Sequence, residues 1–246
     1  MPNNNKFTAL ALLAGLALCN TAQAALQGRD LDGNLATFEA YYDTDLNITW
    51  LADANYGAGS IYDDAPPPNE YVSTTTDGRM SWVNAITWVA NLSFTDGVNV
   101  YDNWRLPTTL QPDESCGSNI GSNVYFGLGC TGSEMGHMFY SVLGGTAGQS
   151  ILTSSDPDLA KFTNLQNWMY WSESVYAPYP AEHRWEFNMY DGSQFSDPRI
   201  YGWHAWAVSD GDVGIAAIPE PETYAMMLAG LGLVGFVVRS RKQAEV

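Results

Sequence analysis

Side-chain catalysis needs a nucleophile beside a base, a pair of carboxylates, or a metal-binding cluster. The chain's three histidines, His137, His183 and His204, are far apart and fall in neither His-x-x-x-His nor His-Glu-x-x-His spacing. There is no Gly-x-Ser-x-Gly elbow and no phosphate-cradling glycine loop. With 27 Asp and Glu residues, any two could be nominated as a glycosidase pair, so that pattern has little specificity. No catalytic residue is expected. A polysaccharide hydrolase is the alternative these acids leave open.

Hard cations want six to eight oxygens from acidic loops. Asp43, Asp45 and Asn47 alternate, Asp210 and Asp212 flank Gly211, and Asp96 and Asp102 flank a Gly/Asn turn. These are weak calcium candidates, since Asx-turns at strand ends use the same residues without metal. No cofactor is expected beyond that ion. Of the nine tryptophans, Trp171, Trp185, Trp203 and Trp206 are the candidates for stacking on a sugar, with one of the four expected to be exposed. The competing reading places them in the core, as is usual for a tryptophan at alternating strand positions.

The ends decide what compartment these groups meet. Lys6 precedes a twelve-residue apolar stretch, Phe7 to Leu18, and Ala22-Gln23-Ala24 puts small residues where a signal peptidase inspects. Residues 1–24 therefore read as a signal peptide cut between Ala24 and Ala25. Cys19 offers a lipoprotein alternative, which the large Leu18 disfavours. At the other end the run Thr223–Val238 has sixteen residues, a helix of roughly 24 Å against about 30 Å of hydrocarbon. It spans only with thinning or with Arg239, Arg241 and Lys242 snorkelling, and those three charges would hold the extreme tail in the cytoplasm. A permanent single-pass anchor is thus one alternative.

Three acids lie in the tail and four bases in the two ends, so residues 25–216 keep 24 acids against six bases, a charge near −18. That sign repels phosphates and excludes nucleic acid as a partner. Cys116 and Cys130, the two cysteines beyond the leader, close a loop rich in Gly, Ser and Asn. In an exported chain that pattern reads as a disulfide. Arg105, in Trp104-Arg105-Leu106-Pro107, has five donors among many carboxylates and reads as a structural staple, with substrate binding as the alternative.

These groups need elements to hold them. "ATFEAYYDTDLNITWLAD" alternates as two strands around a turn at 43–47. Residues 56–78, with three consecutive prolines, form a loop. Residues 82–92 read as a helix capped by Ser81, with Val83, Ile86, Val89 and Ala90 on its apolar face. A second helix starts at Ser133 and presents Met135, Met138, Phe139, Val142 and Leu143 until Gly144-Gly145 ends it; His137 lies off that stripe. The last third reads as strands, including a hairpin that turns at Asp191-Gly192. In "GWHAWAVSDGD", Trp203, Ala205 and Ala207 are expected on one face and His204, Trp206 and Val208 on the other. The class is α+β, short antiparallel strands with two main helices.

Two stretches resemble known families. Pro219-Glu220-Pro221, the Gly- and Leu-rich segment and the terminal Arg/Lys cluster resemble the PEP-CTERM sorting signal. That resemblance implies transient insertion in the inner membrane of a Gram-negative bacterium and processing near the tripeptide by exosortase, after signal peptidase acts at the other end. "ITWL", "MSWVNAITWVANL", "NWRLPT", "YWSES" and "AWAV" in that order resemble the Lcl C-terminal-like domain, over about residues 35–213. This implies a C-type-lectin-like fold and a non-catalytic surface or extracellular-matrix protein associated with exopolysaccharide. The strong acidity departs from the adhesin members of that family, and Cys116 and Cys130 do not form the reactive arrangement of the related formylglycine-generating enzymes. The expected organisation is a signal peptide (1–24), an extracellular domain (25–216) and a sorting signal (217–246) with its membrane helix at 223–238.

Overall fold

The computed structural model describes residues 26–63 and 76–216. The expected signal peptide with Ala24 and Ala25, the proline run, and the tail with the helix expected at 223–238 lie outside them. No helix among the described residues is long and apolar enough to cross a membrane.

The first half contributes β1 (Leu26–Asp30), β2 (Ala40–Asp43), β3 (Ile48–Leu51), β4 (Arg79–Met80), helix α1 (Trp82–Ala90), β5 (Phe94–Thr95), β6 (Val100–Tyr101) and β7 (Trp104–Arg105). Then come β8 (Ser118–Ile120), β9 (Val124–Leu128) and helix α2 (Glu134–His137). Strands β10 (Met169–Val175), β11 (His183–Asn188), β12 (Ser193–Pro198), β13 (Trp203–His204), β14 (Val208–Asp210) and β15 (Ile215–Ala216) follow. One sheet has the order β15-β1-β2-β3-β14-β7, and the second β4-β13-β10-β11-β12-β9-β8. Every pairing is antiparallel except β10 with β13. Two helices among short, mainly antiparallel strands make the α+β class of the sequence reading.

The expected turn between β2 and β3 forms, with Asn47 in the left-handed region at φ 54°. Asp43 holds that turn by accepting from the N–H groups of Asp45 and Leu46. Helix α1 starts where Ser81 accepts from the Asn84 N–H. Its apolar face is not the expected one, however. Ala85, Trp88 and Val89 are buried, while Val83 is 47% exposed. Trp88 is the largest side chain the helix buries, and removing it from water sets the helix's rotation.

The second helix also departs from expectation. Ser133 does not cap it; its Oγ accepts from Leu110 N–H instead. After four residues the helix widens into a π turn, Met138–Val142, so that Met135, Met138, Phe139, Val142 and Leu143 are all buried. Wider winding swings successive side chains onto one side. Gly144 then ends the element at φ 63°.

"GWHAWAVSDGD" is not one two-faced strand. β13 belongs to the second sheet and β14 to the first. The chain crosses between the sheets at Ala205-Trp206-Ala207, and every residue from Trp203 to Val208 is buried. Trp206 packs against Trp50 (centroids 4.9 Å) and Phe162 (5.0 Å), and its Nε1 donates to Leu51 O at 2.7 Å.

Cys116 and Cys130 are joined as a disulfide. It closes the base of the β8–β9 hairpin, where Gly117 N–H donates to Leu128 O at 2.7 Å. This segment pairs with the second sheet only through Ser193↔Leu128 and Gln194↔Gly127. A loop of about this length stabilises by roughly 3 kcal/mol through the entropy it removes from the unfolded chain. Replacing both cysteines with serine should lower the melting temperature by roughly 6–12 °C in a thermal melt. A loss below about 1 kcal/mol would show the hairpin to be held by its other contacts.

Candidate functional site

Of the carboxylates singled out as oxygen donors, three lie beside a basic side chain from elsewhere in the chain. Asp210 accepts from Arg105 Nε (2.9 Å) and Nη2 (2.6 Å). Asp212 Oδ2 accepts from Arg29 Nη2 at 2.8 Å, and its other oxygen faces Arg29 Nε. The Asp43 Oδ2 lies 3.2 Å from His137 Nε2, so the histidine off the apolar stripe faces a buried carboxylate. Burial works against the Asp43 charge, but His137 and the two backbone N–H groups outweigh it and hold the carboxyl below the usual range. Asn47 Oδ1 accepts from Tyr42 OH, and Asp96 binds the N–H groups of Val98 and Asn99 and the Tyr101 hydroxyl.

Arg105 is the staple its neighbourhood implied. Besides Asp210 it makes a bidentate pair with Glu134, Nη1 to Oε2 at 2.8 Å and Nη2 to Oε1 at 2.7 Å, and Nη1 also reaches Leu106 O. All five guanidinium N–H groups are used, leaving none for a substrate. Trp104 and Leu106 are buried on either side, and Pro107 O accepts from Glu173 N–H. The motif thus ties β7 to β14, α2 and β10. Four of the other five bases are also committed: Arg29 to Asp212, Arg79 to Asp77, Lys161 to Asp158, and Arg184 over the Trp82 ring at 4.1 Å, while Arg199 is exposed. No basic patch for a phosphate backbone results among the described residues.

The four tryptophans considered for sugar stacking are buried, each at most 2% exposed, including the one expected at the surface. Trp171 Nε1 donates to Met80 O and Trp203 Nε1 to Asp197 Oδ2, so their polar ends are also used inside. Alternation finds which strand faces are apolar but not that both faces of β10, β11 and β13 are covered.

The open aromatic surface lies elsewhere, in a cleft of about 430 Å³ beside the first sheet. Phe38 and Glu39 reach it from the chain leading into β2, Tyr41 from β2, and Asp53 and Tyr56 from the turns after β3. Phe94 of β5 and Lys161 close it. Phe38 and Tyr56 are 38% and 48% exposed. Tyr56 stands 5.5 Å from Phe94, and Phe38 stands 6.2 Å from Tyr41. Gly28 makes room for Phe38, because a Cβ there would come within 2.6 Å of its ring. The floor is tied by Ala52 N–H to Glu39 O and Thr163 N–H to Ala52 O, both 2.8 Å. Lys161 Nζ lies 5.9 Å over the Tyr41 ring and pairs with Asp158 at 2.8 Å. Aromatic walls with a few acids and one cation suit a polyhydroxylated ligand by stacking and hydrogen bonding. They offer no nucleophile–base pair: Asp53 accepts from Asn55 N–H and Asn164 Nδ2, and Glu39 from Leu31 N–H.

The described residues hold a cleft but no sorting element, and the decisive match is in the tail. Residues 217–242 match the PEP-CTERM protein-sorting motif. That motif implies an exported, cell-surface-directed protein and processing by exosortase. The match takes in Pro219, Glu220, Pro221, Arg239, Arg241 and Lys242. No curated protein and no solved structure matches the chain. No periodic signal in the sequence marks the cleft residues, because Phe38, Tyr41, Tyr56 and Phe94 come from separate short strands and turns.

Proposed function

We propose that the PEP-CTERM tail delivers a non-catalytic, C-type-lectin-like domain that associates with exopolysaccharide at the cell surface or in the extracellular matrix. The observation that carries the binding half is the open cleft of Phe38, Tyr41, Tyr56 and Phe94, beside a fold that spends its tryptophans inside. The acidity of the domain favours a neutral or cation-bridged glycan over a sulfated one, since like charges repel. The sorting half rests on the order of rigid tripeptide, apolar run and basic end. Two prolines remove two N–H donors and keep that stretch extended for a protease.

Two experiments test the halves separately. In the native host, alanine at Pro219, Glu220 and Pro221 should leave the chain in the membrane fraction with its C-terminus intact at Val246, by mass spectrometry. Unchanged mass and location would remove the processing role and favour a permanent membrane anchor. For the cleft, Tyr56→Ala and Phe38→Ala should each weaken binding to the producer's exopolysaccharide about tenfold in isothermal titration, the effect of losing about 1.4 kcal/mol. Absence of binding by the wild-type protein would overturn the ligand, and turnover of the polymer would replace association with hydrolysis.

A further inference from the structure

A cluster of three acids beside the first sheet forms no ion pair among the described residues. β1 ends at Asp30, and the segment to Glu39 folds back through a series of Asx-turns. Asp30 Oδ1 accepts from Asp32 and Gly33 N–H (3.0 and 2.8 Å), and Asp32 Oδ1 from Asn34 N–H (2.8 Å). Glu39 Oε2 returns to Leu31 N–H at 3.0 Å. This folding brings one carboxylate oxygen each of Asp30, Asp32 and Glu39 within 4.8 Å of one another. Asp30 is fully buried, and its Oδ2 has no hydrogen-bond partner among the described residues. None of the three forms an ion pair among those residues, in contrast to Asp43, Asp210 and Asp212.

A buried carboxylate oxygen with nothing to accept from is costly unless a cation meets it. Three converging carboxylates repel, so each makes the cost of the others larger. The donor set is oxygen only, with one deeply buried, one intermediate and one exposed member. That suits a hard divalent ion that keeps some water, and the flexible geometry of short acidic turns suits calcium better than the strict octahedron of magnesium. The geometry points to a calcium site formed by Asp30, Asp32 and Glu39. Glu39 also lines the aromatic cleft, immediately after Phe38. The ion therefore braces the segment that carries one cleft wall. The site stands on its own geometry and does not require the cleft to bind glycan.

The test uses the protein purified from its host, stripped with EDTA and titrated with calcium chloride by isothermal calorimetry, with thermal melts in parallel. One site is expected in the range of extracellular modules, a dissociation constant of about 0.1–1 mM, and the melting temperature should rise with calcium concentration. Asp30→Asn keeps the shape and the Oδ1 acceptor and should weaken binding at least tenfold. Glu39→Gln should do likewise, and the exposed Asp32→Asn should weaken it a few-fold. Should Asp30→Asn fail to fold, the other two variants decide. Glu182→Gln, at an exposed acid in the β10–β11 connection of the second sheet, should bind as wild type. Absence of a saturable calcium heat overturns the site, as do equal affinities in all variants. So does a Glu182→Gln loss matching that of Asp30→Asn, since that pattern marks diffuse attraction to an acidic protein.

Discussion

Arg105→Met should cost about 3 kcal/mol of stability and lower the melting temperature by roughly 6–12 °C. The loss comes less from the attraction removed than from what remains. Glu134, 16% exposed, would keep only the Thr108 N–H of its present strong partners. Asp210 is 80% exposed and regains water, so its share of the effect is small. The guanidinium now keeps its proton more firmly than a free arginine: burial acts against the charge, but Glu134 and then Asp210 outweigh it. Arg105→Lys should fall between, since an ammonium cannot span both Glu134 oxygens while also reaching Asp210. In a double-mutant cycle, Arg105→Met with Glu134→Gln should cost less than the two single changes added. Urea unfolding of the four proteins measures this. A single-variant loss under about 1 kcal/mol would remove the staple and return Arg105 to the list of ligand-binding candidates.

Acid should destabilise the fold through His204. Its ring is buried at the end of β13, and Nδ1 lies 3.2 Å from Asn55 Oδ1. Asn55 Nδ2 donates to Asp77 O, which turns its oxygen toward the histidine and requires the Nδ1–H tautomer. Burial first, and then the nearby Arg79 charge, lower the His204 pKa to about 4. The unfolded value is near 6.5, so between the two the unfolded chain binds the extra proton and the folded chain does not. Stability from this group is complete above about pH 6.5 and is lost as pH falls toward 4. The total is about 3 kcal/mol. Glu186 has the opposite slope, because burial and then Asp197 raise its pKa well above the usual range. The contrast between wild type and His204→Asn therefore isolates the histidine. Asparagine keeps a donor toward Asn55 without titrating, so its stability should fall less steeply from pH 6.5 to 4. Parallel pH profiles would show that His204 is not the group responsible.

The surroundings of His204 also show how tightly this region is set. Gly78 has φ 81°, and a Cβ there would lie 1.9 Å from Asn55 Oδ1. The pair Asn55 and His204 is separated by 149 residues, and neither carries a local signal of the other. By contrast Ser81 as a cap, the Asp191-Gly192 turn and the apolar run from Met135 to Leu143 were all legible. Each depends on neighbours within a few positions.

The tail shows the same division most sharply. Tripeptide, apolar run and basic end form a code set by their order along the sequence, so the residues alone identify the sorting motif. The pairing of Cys116 with Cys130 was legible because no third cysteine remained beyond the leader. Which carboxylates are neutralised was decided by the tertiary structure, which brings Arg29 to Asp212 across 183 residues and Arg105 to Asp210 across 105. The same holds for the burial of Trp171, Trp185, Trp203 and Trp206 and for the cleft assembled from β2, β5 and the turns after β3. Period and composition report on the next few side chains. Charge pairing and burial depend on which distant segments fill the space around a group, and only packing two sheets against each other determines that.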